Sequence, residues 1–285
     1  MSNGQGSDGA FAVGVIVAAA GSSRRYGESG GLRPKLDEDL GGKPVLQRSV
    51  ELFTRHDDVA AIVVAGPGED ADFAEFRARH ADRLGLLGAT LVRGGRTHRW
   101  ESVQAALAAM PLEAGGRRIT HIAVHDAARP GTPPELLDRV FEAARRHGAA
   151  IPALEVGDTL KRFEEVEGDE SEGDPLAAIL GVRQGGGKRR VVGATVDRAG
   201  LVAVQTPQVF EAALLREAYA QKDLSSTDDA GLVERVLSRE GKGRRIALVT
   251  GDVRNMKITW SGDLSAVRAM MGLKSSDERP VHKRF

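Results

Sequence analysis

The chain has 285 residues, with 40 Lys plus Arg against 40 Asp plus Glu, so its formal net charge is zero. That argues against a chain-wide electrostatic footprint for nucleic acid or an anionic membrane. With no cysteine, disulfides, thiolate nucleophiles and Cys-ligated metals are excluded, and with 4% aromatics a base-stacking platform is not expected.

Met1–Ala10 is rich in Gly, Ser and Asp, with neither the basic nor the apolar segment of a signal peptide, and residues 1–11 are expected as a flexible tail. Val13–Ala20 is a continuous apolar run, as are Ala60–Ala65, Ile119–Val124 and Ala149–Leu154. Such runs suit strands buried on both faces of a parallel sheet. Pro44 opens a helical pattern through Val45, Leu46, Val50, Leu52 and Phe53; a third strand before Arg93 leads to a helix at Glu101–Met110. Pro133 and Pro134 open another with Leu136, Leu137, Val140 and Phe141. Strand and helix alternating at this spacing predict an α/β fold in three layers.

Phe163–Arg190 breaks the rhythm, acidic first, then glycine-rich and basic, and reads as a mobile excursion. Its flanks, Val156–Arg162 and Val191–Val196, are expected to pair as an arm. Then follow a helix at Glu211–Gln221, a helix capped by Thr227 (Asp228–Arg239), strands Ile246–Thr250 and Met256–Trp260, and a last helix, Asp263–Met271. Residues 274–285 read as a second flexible tail, leaving one domain over 12–273 with an arm at about 156–198 and a polar insertion at 163–190. No run reaches the ~20 apolar residues of a membrane span. A cytoplasmic protein is expected.

The chemistry-bearing motifs stand at strand ends. The first strand runs into Ala19-Ala20-Gly21-Ser22-Ser23-Arg24-Arg25, followed by Pro34-Lys35. A glycine-serine turn at the carboxyl end of a parallel strand can aim several N–H groups at a phosphate, and Arg25 and Lys35 add positive charge. Neither the dinucleotide fingerprint nor the Walker A spacing is present. A later strand ends in His125-Asp126-Ala127-Ala128-Arg129-Pro130. One carboxylate facing phosphate oxygens is what Mg²⁺ uses. Arg129 can pair with Asp126 or with phosphate, and His125, with no second histidine at ligand spacing, reads as a packed residue. In Arg93-Gly94-Gly95-Arg96-Thr97-His98-Arg99-Trp100-Glu101-Ser102 the two glycines allow close approach of a flat group. Asp158-Thr159-Leu160-Lys161, Thr195-Val196-Asp197-Arg198, Gln205-Thr206-Pro207-Gln208, Thr227-Asp228-Asp229-Ala230 and Asn255-Met256-Lys257-Ile258-Thr259 add more hydroxyls and cations.

In this order the motifs resemble the 2-C-methyl-D-erythritol 4-phosphate cytidylyltransferases, from about Val13 to Met271, with H-D-A-A-R-P the most specific of them. The resemblance implies a Rossmann-like nucleotidyltransferase fold, a mostly parallel sheet with an extended β-arm, and transfer of CMP from CTP to the polyol phosphate with Mg²⁺. It implies Arg25, Lys35 and Lys257 as the catalytic cations, and Asp126 as the metal ligand, with Asp252 a second candidate. Ala19, Ala20, Gly21, Ser22, Gly94, Gly95, Arg99, Ser102, Asp126 and Ala127 match the nucleotide contacts, with Arg96 or His98 as alternatives to Arg99. Thr159, Arg198, Thr206 and Arg129 match the polyol phosphate contacts. The implied partners are CTP, a polyol phosphate and a second copy, as a homodimer through the arm. No fused cyclase domain is expected after Met271. Ser23 stands where the family often has glycine, and the Tyr26–Arg33 stretch is longer than usual. Two rivals remain: a cytidylyltransferase for ribitol 5-phosphate or another polyol phosphate, and a nucleotide-binding scaffold without catalysis.

Overall fold

A computed structural model of the chain describes residues 11–21, 23–167, 188–241 and 243–274. The backbone forms two compact units, one up to Leu154 and again from Val204, the other Glu155–Ala203.

The first unit is built on β1 (Val13–Ala18), whose apolar run is buried almost throughout. It lies parallel between β2 (Val59–Gly66) and β6 (His121–Asp126), and β3 (Ala89–Arg93) continues parallel beyond β2. On the other side β11 (Gln208–Glu211) runs antiparallel between β6 and β7 (Ala149–Glu155), and β12 (Ala247–Thr250) pairs parallel with β7. The order is therefore β7-β11-β6-β1-β2-β3, mostly parallel as expected.

The two faces of β1 explain the layers. Val13, Val15 and Val17 point into one core with Phe53 and Phe141. Ile16 points into the other with Val103, Leu107, Leu215 and Val233. Burying each such side chain contributes about 1.5–3 kcal/mol, so an apolar residue at every position of β1 is what a sheet covered on both faces requires. The first core is closed by α2 (Val45–Glu51), α3 (Asp70–Leu86), α5 (Pro134–His147) and α8 (Ser261–Met270). The second is closed by α4 (Arg99–Ala109), α6 (Ala212–Tyr219) and α7 (Asp229–Glu240). A short α1 (Arg24–Glu28) follows the first strand. Helix α5 starts at its prolines and stops at Gly148, whose φ of 76° is left-handed backbone that glycine adopts freely.

Several expectations are corrected. Helix α3 has no counterpart in the sequence reading, because its buried side is thin, only Phe76, His80 and Leu84 in 17 residues. Strand β11 takes Gln208–Glu211, so α6 begins at Ala212. The α7 cap is Asp228, not Thr227; its carboxylate accepts the Gly231 N–H. Met256–Trp260 is not a strand: Ile258 N–H reaches Ala128 O at 2.8 Å, without a ladder. A two-residue-per-strand hairpin, β4 (Glu113–Ala114) and β5 (Arg117–Arg118), turns at Gly115 and Gly116, both at positive φ as this tight turn needs. Phe11, expected in the tail, packs its ring 6.4 Å from that of Phe141. The remainder of the first tail, and the second tail beyond Lys274, lie outside the described residues.

The second unit holds β8 (Leu160–Glu167) and β9 (Lys188–Val196), paired antiparallel from Leu160↔Val196 to Glu167↔Lys188. The ladder thus runs past Arg162 and Val191, where the irregular insertion was expected to begin. Opposite charges face each other across it: Glu165 lies 3.7 Å from Arg190 and 3.8 Å from Lys188, the acidic half of the insertion against its basic half. The rest of the insertion, 168–187, lies outside the described residues. Strand β10 (Val202–Val204) ends this part of the chain.

Candidate functional site

The connection from β1 leads to β2 on one side, while the chain crosses back from β3 to β6 on the other side of β1, so the crossovers flanking its carboxyl end run in opposite directions. Ligands of open α/β sheets bind in the crevice this opens. Here it measures about 380 Å³ and is walled by the Ala18–Gly21 turn after β1, by Asp126–Ala128 after β6, and by the Gly95–Arg99 loop. A larger cavity of about 690 Å³ lies between Arg48 and Glu51 of α2 and Leu137 and Asp138 of α5 and shares no lining residue with that crevice.

The turns are fixed from beneath. Ala19 N–H donates to Ala65 O at 2.8 Å, Ala127 N–H to Ala18 O at 3.1 Å, and Ser49 Oγ to Ala127 O at 2.6 Å. Ser22 lies outside the described residues; Ser23 has φ 53°, the left-handed region in which glycine carries no penalty. In the second loop, Gly95 N–H donates to Ser102 Oγ at 3.0 Å. A Cβ on Gly95 would meet Glu101 Cβ at 2.0 Å, and one on Gly94 would meet Gly66 O at 2.4 Å. These glycines are therefore required by the packing of their own loop against α4 and β2. Gly95 and Ser102 reach the crevice wall, whereas Gly94 sits behind it.

At the centre stands Asp126. Its Oδ2 is 2.8 Å from Lys257 Nζ and 3.6 Å from Arg129 Nε, and its Oδ1 is 3.3 Å from Arg99 Nε. Burial alone would raise this carboxyl; the Arg99, Lys257 and Arg129 charges instead hold it well below the usual carboxylate range. Lys35 lines the same crevice, and its Nζ donates to Ile258 O at 3.3 Å. Burial, and then the Lys257 charge beside it, push its ammonium below the ordinary lysine value.

Of the residues expected here, Ala19, Ala20, Gly21, Gly95, Arg99, Ser102, Asp126, Ala127, Lys35 and Lys257 meet at one crevice. Others are placed differently. Arg24, not Arg25, lines the wall, because one turn of α1 points adjacent residues apart; Arg25 remains close enough for its charge to act on Lys35. Thr206 is buried behind Asp126: the Asp126 N–H donates to its Oγ1 at 3.1 Å, and that hydroxyl in turn meets His125 Nδ1 at 3.2 Å. Arg129 is turned inward too, its Nη1 donating to Asn255 O at 2.7 Å. His125 is a packed residue as expected. Its Nε2 meets Arg129 O at 3.2 Å, and burial pushes its pKa down to about 4, so it stays neutral. Asp252 does not share the crevice; its carboxylate is held by Arg254 at 2.8 and 3.0 Å. Thr159 and Arg198 belong to the second unit, both exposed, with Arg198 donating to Gly157 O.

Two residues join the site without a sequence signal of their role. Asp229, fully buried, holds Arg99 Nη1 at 2.7 Å, and the Tyr219 hydroxyl donates to its other oxygen at 2.6 Å. The Thr227–Ala230 motif contains Asp229, but by itself it reads as a helix start and nothing more.

The chain matches the family model of 2-C-methyl-D-erythritol 4-phosphate cytidylyltransferase (IspD) over residues 13–172 and 178–273. It is 37% identical to the protein of that name from Rhodococcus jostii, covering 93% of this chain and 97% of the relative. It is 38% identical to the one from Rhodopirellula baltica, covering 92% and 96%. The chain belongs to the 2-C-methyl-D-erythritol 4-phosphate cytidylyltransferase family. A crystal structure of a protein of that name from Thermus thermophilus superposes with a TM-score of 0.61 at 32% identity, covering 91% of this chain and 98% of the other. The cytidylyltransferase family is a family of nucleotidyltransferases, and the fold is the Rossmann-like one expected. Among the described residues no helix is long and apolar enough to cross a membrane.

Proposed function

We propose that this chain transfers the cytidylyl group of CTP to 2-C-methyl-D-erythritol 4-phosphate, releasing pyrophosphate. One observation carries the reading: the crevice at the ends of β1 and β6 gathers Lys35, Lys257 and Arg24 around the ionised Asp126. A phosphate oxygen of the polyol attacks the α-phosphorus of CTP. One P–O bond forms, the bond to the bridging oxygen of the β-phosphate breaks, and pyrophosphate leaves with that electron pair. A phosphate monoester, with a second pKa of about 6, is largely dianionic at neutral pH, so no general base is needed. His125 fits this, being neutral with both ring nitrogens engaged. What remains is to align two polyanions and neutralise the charge that builds on the α-phosphate and the leaving group. We assign that task to Lys35 and Lys257, supported by their meeting in the crevice, with Arg24 at the wall and the Arg25 charge acting on Lys35.

A divalent ion fits the donor set. Among the described residues no group of three or more acidic, histidine or cysteine side chains could hold a metal by itself. A single ionised carboxylate instead suits Mg²⁺ shared with substrate phosphates and waters. Asp126 would hold it, and when bound it supplies positive charge to the triphosphate. Ala19–Gly21, Gly95, Arg99 and Ser102 are assigned to the nucleotide, and Thr159 and Arg198 to the polyol phosphate of a neighbouring copy.

A homodimer through the arm is part of this reading. Phe163 and Val192 are cross-strand partners, 56% and 71% exposed, on a two-stranded ribbon that is marginal in water by itself. Light scattering should give a mass of two chains; a single-chain mass would remove the second copy from the reading. A cytoplasmic location is the setting we assign.

The deciding assay incubates the protein with CTP, Mg²⁺ and each of a panel of polyol phosphates and measures pyrophosphate. Release with methylerythritol phosphate, at least about tenfold above ribitol 5-phosphate, is expected. Release only with another polyol phosphate would move the specificity. CTP binding without release for any of them would make the chain a nucleotide-binding scaffold.

A further inference from the structure

The Asp126 carboxylate is not held evenly. Its Oδ2 takes Lys257 at 2.8 Å, while among the described residues its Oδ1 takes the longer hydrogen bond from Arg99 Nε at 3.3 Å. The reason lies on the far side of Arg99, where Nη1 is bound at 2.7 Å by Asp229. We propose that Asp229 is a positioning residue, which draws Arg99 back so that Asp126 Oδ1 stays open to a divalent cation. The inference rests on the assignment of Asp126 as the metal-binding carboxylate.

Asp229 is built for this. It is the first residue of α7, but the cap of that helix is Asp228, whose Oδ1 accepts the Gly231 N–H at 3.1 Å. The Asp229 carboxylate is therefore spare as far as the helix is concerned, and a fully buried spare carboxylate is costly unless something uses it. The helix N-terminus favours its charge, and Tyr219 and Arg99 occupy its two oxygens. Its position is tied to the site through Gln208, whose amide donates to Asp228 Oδ2 at 2.8 Å and accepts the Ala230 N–H at 2.9 Å. Gln208 pairs in register with Val124, two residues before Asp126 on β6. The same strand thus sets both carboxylates that share Arg99. Without Asp229, the Arg99 guanidinium, always charged, has only Asp126 to turn to and competes with the cation for Oδ1.

The test measures Mn²⁺ binding in the presence of CTP and without polyol phosphate, by electron paramagnetic resonance, so that no turnover is involved. In Asp229→Asn the half-saturating Mn²⁺ concentration is expected to rise about tenfold, as is typical for a lost outer partner of a metal ligand. Adding Arg99→Gln, with CTP raised to saturate the double variant because Arg99 is also assigned to the nucleotide, should return it towards the wild-type value, because the competing guanidinium is gone. A merely structural Asp229 would lower the melting temperature, and the double variant would bind no better than the single one. Unchanged Mn²⁺ binding in a folded Asp229→Asn protein, or no recovery in the double variant, would overturn the proposal. Should Asp229→Asn not fold, Tyr219→Phe decides, since it removes only the hydroxyl behind Asp229: a smaller rise supports the proposal and none overturns it. If the wild-type protein with CTP shows no Mn²⁺ binding, the Asp126 assignment itself fails, and this inference with it.

Discussion

Lys35→Ala is expected to lower kcat by about a hundredfold to a thousandfold while the protein remains folded. The lysine faces the crevice with Lys257 beside it, and its one hydrogen bond among the described residues, to Ile258 O, is long at 3.3 Å. Burial and the neighbouring ammonium both work against its charge, so the lysine costs the free protein stability. Its removal should leave the melting temperature unchanged or slightly higher, the reverse of what a structural lysine would show. Charge that neutralises the developing pyrophosphate acts in the transition state, so kcat should fall more than KM for CTP rises. Steady-state kinetics and a melt on the same sample check both parts, and full activity in a folded Lys35→Ala protein would remove Lys35 from the mechanism.

Asp126→Asn should be the most damaging single change, losing both activity and stability. The carboxylate offsets Lys257, Arg129 and part of Arg99, and it is 11% exposed. Removing one member of a buried ion network leaves the others uncompensated, at about 3–5 kcal/mol. Denaturant unfolding at neutral pH measures the difference from wild type, and equal stability there would contradict the ion network. The pH dependence has a definite sign. The cations hold the folded carboxyl below its unfolded value of about 3.9, so its contribution is fully present above that pH. As the pH falls further, the unfolded chain takes up a proton that folded Asp126 does not, and the stability is progressively lost. The gap between wild type and Asp126→Asn should therefore narrow below about pH 4.

Elements with a strong apolar pattern were legible in the sequence. The run of β1 and the proline-started α5 stand where periodicity put them, because burial on both faces or on one broad stripe leaves no ambiguity. Helix α3 was not legible, since three buried residues in 17 make too thin a stripe. The ladder of β8 and β9 was legible only in part: each strand is polar and exposed, and only their opposite charges in register reveal a pair. In the site, residues that meet through backbone order alone, such as Ala19–Gly21 and Asp126–Ala127 at neighbouring strand ends, followed from the motifs.

The apolar runs pointed by themselves to an α/β fold and the motif order, through the resemblance it carries, to a nucleotidyltransferase, while the zero net charge meant that any phosphate-binding cations had to be gathered locally. Which cation faces the crevice was decided by tertiary structure. The motif pointed to Arg25, whereas the turn of α1 puts Arg24 on the wall and leaves Arg25 to act on Lys35 through its charge. Thr206 and Arg129 look like ligands until the packing of β11 and the Asn255 segment draws them behind Asp126. Asp229 gains its role only from Arg99, 130 residues earlier in the chain. Side-chain direction and long-range charge pairing depend on how helices settle on the sheet, and a one-dimensional pattern of residue types does not encode that.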